Sequence, residues 1–102
     1  MTIREFNESP KFQGTDERIP YKVITNKWGG CPENAVVVIK HAGIDECDKH
    51  LDGEVSIEGD IIITPLVVGL EDRSRYKIEV RWDSKDSTYE AYGWIIGGSG
   101  IY

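Results

Sequence analysis

The sequence has little of what usually announces a chemistry. Its 102 residues include two cysteines, Cys31 and Cys47, and two histidines, His41 and His50. A chain with so few thiols and no secretion signal keeps them reduced by default, although a Cys31–Cys47 bridge in an oxidising compartment would close a loop of about 16 residues and add roughly 3 kcal/mol. Basic residues are outnumbered: twelve Lys and Arg face eighteen Asp and Glu, a net charge of -6. That balance excludes a non-specific grip on nucleic-acid phosphates, which needs a cationic face. Long apolar runs are missing too. The longest, Ile61 to Val68, is broken by Thr64 and Pro65 and falls far short of the roughly 20 residues that span a bilayer. The opening Met1-Thr2-Ile3-Arg4-Glu5 lacks the apolar stretch of a signal peptide, so the expected location is the cytoplasm rather than a membrane or the outside.

With 39% hydrophobic and 29% charged residues, the chain has the composition of one globular domain able to hide roughly two-thirds of its unfolded surface. Residues 1–17 are polar, with Ile3, Phe6 and Phe12 as the apolar anchors. They read as an extended N-terminal arm, either frayed or laid as a strap on a neighbouring subunit through Phe6 and Phe12. Residues 18–96 then alternate like strands. Ile19, Tyr21 and Val23 open the first, with Pro20 placing it at a sheet edge or near its own beginning. Trp28-Gly29-Gly30-Cys31-Pro32 is a turn, and Ala35 to Lys40 is a β-branched run of the kind packed interior strands show. Ile44 to Gly53 is acidic and irregular. Glu54 to Ile57 and Ile61 to Thr64 flank a Glu58-Gly59-Asp60 hairpin turn, and Pro65 bends the chain before Leu66 to Val68. Tyr76, Ile78, Val80 and Trp82 fall on one face of a strand whose other face carries Lys77, Glu79 and Arg81. Thr88 to Ile96 is the last strand, and 97–102 a flexible tail. No helical period runs for three turns, so the expected fold is all-β, an antiparallel two-sheet sandwich of six or seven strands. Leu70, six positions before Tyr76, is similar to the tyrosine corner of immunoglobulin-like and fibronectin type III sandwiches, in which the hydroxyl bonds back to the upstream backbone.

Catalytic and metal signals are weak. Cys31, His41, Cys47 and His50 are zinc-ligand types, but their spacing lacks the close paired knuckle of structural sites. The acids between Asp45 and Asp60 do not follow a calcium-loop pattern and read as a solvated edge that discourages strand-to-strand aggregation. No thiol–imidazole pair sits where an oxyanion hole would form, and neither Gly29-Gly30 nor Gly97-Gly98 opens a helix that could bind phosphate. The expectation is a protein without catalytic residues, cofactor or metal. Aromatics are the better lead. Tyr92 and Trp94 alternate with Ala91, Gly93 and Ile95, and either set could face inward; if the smaller set is inside, Tyr92 and Trp94 form an exposed strip to which Trp28 adds.

The polar arm with Ser9-Pro10 and Phe12, the strand before Trp28-Gly29-Gly30 and Pro32, Val36-Val37-Val38, Gly59 to Pro65, Leu70 with Tyr76 to Val80, and Glu90-Ala91-Tyr92 together resemble small β-sandwich proteins encoded among the structural genes of tailed phages and prophages. Cys31, Cys47 and the acidic stretch at 45–60 lie outside that resemblance. It implies a virion or assembly component, present in the host cytoplasm during assembly and then in the particle, that contacts copies of itself or other virion proteins through its edges and arm. A homo-oligomer fits this reading. The alternative is a module for carbohydrate or a cell-surface ligand, with Trp28, Tyr92 and Trp94 stacking on sugar rings.

Overall fold

Period-two alternation over Arg75–Ser84 and Ser87–Gly97 becomes a long antiparallel hairpin with a two-residue turn, Lys85-Asp86, in a computed structural model that describes residues 10–98 and the backbone of Arg4–Glu5. In chain order the strands are β1 (Arg4–Glu5), β2 (Lys11–Gln13), β3 (Tyr21–Ile24), β4 (Glu33–His41), β5 (Ile44–Asp45), β6 (Leu51–Asp52), β7 (Ser56–Glu58), β8 (Ile61–Ile63), β9 (Leu66–Val67), β10 (Arg75–Ser84) and β11 (Ser87–Gly97). Asn26–Trp28 forms a 3-10 turn, and Cys47–His50 a single helical turn, α1. The fold is mostly β, as the alternation predicts. A five-stranded sheet runs β2-β11-β10-β4-β5, a four-stranded sheet β1-β3-β8-β7, and β6 pairs with β9.

Several local expectations change. Pairing is not all antiparallel: β1 runs parallel to β3 and β2 parallel to β11. Segment 10–17 is tied into the sheets by β2, and the last strand reaches Gly97, whose neighbour Gly98 donates its amide to the Gln13 carbonyl at 2.7 Å. Of the two places open to Pro20, the structure has the strand's beginning, directly before β3, and not an edge, since β3 lies between β1 and β8. The acidic stretch after His41 is more regular than expected. Ala42 and Gly43, both with positive φ, make a tight turn into β5, followed by α1 and β6. Phe6 lies outside the described residues.

The core forms where the inner faces meet. One cluster joins Tyr21, Ile39, Val67, Leu70, Tyr76, Ile78 and Ile95; a second joins Val23, Ile62, Val80 and Trp82. In the middle of the long hairpin large inner residues oppose small ones, Ile78 facing Gly93 and Val80 facing Ala91, while Tyr76 faces Ile95 and Trp82 faces Tyr89 towards its ends. This volume matching turns Tyr92 and Trp94 outward. The Tyr76 hydroxyl accepts the Glu71 amide proton at 2.9 Å, so the ring fills the core while its polar tip holds the upstream backbone. Tyr76→Phe is expected to cost about 1 kcal/mol, the value of a partly buried hydrogen bond. An unchanged denaturation midpoint would show that the hydroxyl does not hold the turn.

Candidate functional site

The outer face of the five-stranded sheet carries Phe12, Val36 and Tyr92, three of the six large hydrophobic side chains that are exposed among the described residues. The two-residue turn fixes the register, placing Trp94 opposite Lys77, Tyr92 opposite Glu79 and Glu90 opposite Arg81; on the other side of β10, Lys40, Val38 and Val36 take the same three rows. Phe12 stands beside Ile96 where β2 joins β11. Tyr92 is 65% exposed, Val36 44% and Phe12 43%, while Val38 and Trp94 are half-buried. The β-branched run of β4 is therefore covered on its inner side only, which corrects the expectation of a fully packed strand.

Of the aromatic candidates, Phe12, Tyr92 and Trp94 share this face. Trp28 does not join them. Its ring, 44% exposed, lies 5.9 Å from that of Trp82, a buried inner-face residue, and so stands at the margin of the core, away from the outer face. Leu70 and Tyr76 are core residues of the corner described above.

Alternation alone gives the cations among these aromatics no role beyond solvation. The Arg75 guanidinium lies 4.3 Å from the Trp94 ring centre, and the Lys77 ammonium 4.5 Å from that of Tyr92. Such contacts attract through the ring quadrupole and hold the long side chains against the sheet. Glu79 bridges Lys40 at 3.0 Å and Lys77 at 3.2 Å. The Lys40 hydrogen bond, aided by Lys77, outweighs partial burial and lowers the Glu79 pKa. Two hollows meet at Glu79. One, of about 170 Å³, is lined by Val36, Val38, Ala91 and Tyr92 among others. The second, of about 600 Å³, is lined chiefly by Lys40, Arg73, Arg75, Lys77 and Trp94. The two-residue turn sets Lys77 opposite Trp94, so both cation–ring contacts are diagonal, each cation reaching the aromatic one row along, and the register shows only that these side chains share a face.

The histidines meet elsewhere, around Glu46. His50 is buried, its Nε2 3.1 Å from Glu46 Oε1 and its Nδ1 3.1 Å from the Val68 carbonyl. His41 Nδ1 approaches the same carboxylate oxygen at 3.5 Å, and both imidazoles pack on the Tyr76 ring at 4.9 and 4.8 Å. Partial burial opposes the Glu46 charge, but the His50 hydrogen bond and the charges of Lys49, His41 and His50 prevail, so its pKa lies below the ordinary 4.5. A carboxylate favoured in the folded state contributes stability that is complete above its unfolded value and is lost as pH falls through its folded value. Glu46→Gln should thus lower the unfolding midpoint at neutral pH, and the gap from wild type should close as pH drops below 4.5. A gap constant across that window would deny Glu46 this role.

Cys31 is exposed and Cys47 half-buried, and both are unbridged. Burial, reinforced by a hydrogen bond to Asp45, pushes the Cys47 thiol pKa up, away from the thiolate a nucleophile needs. Among the described residues, no group of three or more His, Cys, Asp or Glu side chains is placed to hold a metal ion. Nor is any of their helices long and apolar enough to cross a membrane. Comparison with known proteins finds no matching family model, no matching curated protein and no matching solved structure.

Proposed function

We propose that the protein is a non-enzymatic interaction module that acts through protein–protein contacts. Its sheets are read as an immunoglobulin- or fibronectin III-like two-sheet sandwich, a reading supported by the Tyr76 hydroxyl bond to the Glu71 amide at 2.9 Å. The observation that carries the functional reading is the outer face of the five-stranded sheet, where Tyr92, Val36 and Phe12 are all more than two-fifths exposed beside half-buried Trp94. A contiguous apolar and aromatic patch rimmed by charge is what protein interfaces use. The resemblance to phage and prophage structural proteins makes a virion, or its assembly, the setting.

A carbohydrate or cell-surface ligand is the second reading, favoured by Trp94 lining a hollow with polar side chains. The two part in one experiment: the immobilised chain is offered the proteins of the phage particle and, in parallel, a glycan array. Saturable binding of a particle protein, weakened about tenfold by Tyr92→Ala, is the expected result. Saturable glycan binding with none to protein would replace it with the second reading.

A further inference from the structure

The larger hollow on the outer face is cationic in an acidic protein. Lys40, Arg73, Arg75 and Lys77 line it against one carboxylate, Glu79, leaving eight bases and seventeen acids for the rest of the chain. It already holds a carboxylate, because Glu79 sits between Lys40 and Lys77 at hydrogen-bond distance. Arg75 is braced on Trp94. Arg73, beside Asp72 at 3.9 Å, stands at the rim with its side chain 75% exposed.

The chain also carries the complement. From Asp52 to Asp60 it presents four acids, Asp52, Glu54, Glu58 and Asp60, and no base. Asp52 pairs with Arg18, and Asp60 accepts the Cys31 amide proton at 2.9 Å. Glu54 and Glu58 remain exposed on the same stretch, whose strand β7 is an edge with all three residues exposed, Ile57 among them at 39%. An edge strand bearing charge and one apolar side chain matches a socket bearing opposite charge and an indole wall.

We propose that this hollow is the socket for the acidic segment around Glu54 and Glu58 of a second copy of the chain. The proposal rests on the reading of the protein as an interaction module and names its partner. Because socket and segment are different patches, the contact is head-to-tail, and every copy offers both to its neighbours in a ring or a filament.

Sedimentation of the purified full-length chain tests this at low and at molar salt, alongside two charge-reversed forms. Arg73→Glu with Arg75→Glu inverts the socket; Glu54→Lys with Glu58→Lys inverts the segment. All four positions are exposed, and circular dichroism checks that each form stays folded. Wild type should associate at low salt and dissociate at high salt. Each variant alone should associate about tenfold or more weakly, and an equimolar mixture of the two should associate again, since inverted socket then meets inverted segment. A wild type that stays monomeric at low salt and high concentration, or variants that associate like wild type, would overturn the proposal. A monomeric wild type that binds a synthetic acidic peptide through Arg73 and Arg75 would overturn it in favour of another protein's segment. If self-association fails while Tyr92-dependent binding to particle proteins persists, only the second-copy socket is lost; if both fail, the interaction reading goes with it.

Discussion

Gln13→Leu is expected to destabilise the protein by about 2 to 3 kcal/mol, a cost set by hydrogen bonds rather than by volume. Gln13 is wholly buried. Its amide group donates to the Val67 carbonyl at 2.8 Å and to the Glu17 carbonyl at 3.0 Å, and its oxygen accepts the Tyr21 hydroxyl at 2.9 Å. One side chain thus ties β2 to β3, to β9 and to the turn between them. Leucine fills the space and returns none of these bonds. The Val67 carbonyl keeps the Ile19 amide at 3.2 Å, but the Tyr21 hydroxyl loses this acceptor inside the core. For a domain of this size the loss lowers the thermal midpoint by roughly 10 to 20 °C. Deleting residues 1–17 should cost at least as much, because it removes β2 along with Gln13. A Gln13→Leu midpoint within a degree or two of wild type would show that the segment is an appendage and that the bonds are dispensable.

This position marks the boundary of what the sequence makes legible. The β10 and β11 hairpin is readable because one face of each strand is covered and the other is not, so hydrophobicity alternates strictly over Tyr76 to Trp82. The β7–β8 hairpin and the bend at Pro65 are readable from turn chemistry. Gln13 is not: a glutamine in a polar segment carries no local sign of burial, and its partner Val67 is 54 residues away. The short elements β5, α1 and β6 leave too few residues for any period to show. Tyr92 and Trp94 are undecided by their own strand, since Ala91, Gly93 and Ile95 form an equally regular set. What decides them is the strand opposite, where Ile78 and Val80 leave room only for small neighbours. The candidate face was thus half visible, its aromatics as an open choice and its cations only as a solvated side.

The second large effect is expected at Gly97, for reasons of space. Its φ is not in the left-handed region, yet an added Cβ would collide with the Glu71 carbonyl oxygen and come within 2.9 Å of the carbonyl carbon. Contacts that close are absorbed cheaply only when the neighbour is the end of a flexible side chain, and here it is backbone. Neither side can give way easily. Glu71 is held by its amide to the Tyr76 hydroxyl and by its carbonyl to the Ser74 amide at 3.2 Å, next to the buried Leu70. Gly97 donates to the Ser74 carbonyl at 2.9 Å and accepts from the Arg73 amide at 2.9 Å. Moving either chain breaks the tie between the end of β11 and the turn that enters β10. Gly97→Ala should therefore cost about 3 kcal/mol or more, with the amides of Arg73 and Gly97 losing protection from hydrogen exchange first. Gly43→Asn is the contrast. Gly43 has a positive φ but nothing within 4 Å of an added Cβ, and asparagine is among the residues that best tolerate that backbone, so the cost should be backbone strain alone, about 1 kcal/mol or less. If Gly97→Ala were equally mild, the turn at Glu71 would have to be able to retreat from β11, and the Tyr76 hydroxyl would no longer be what fixes it.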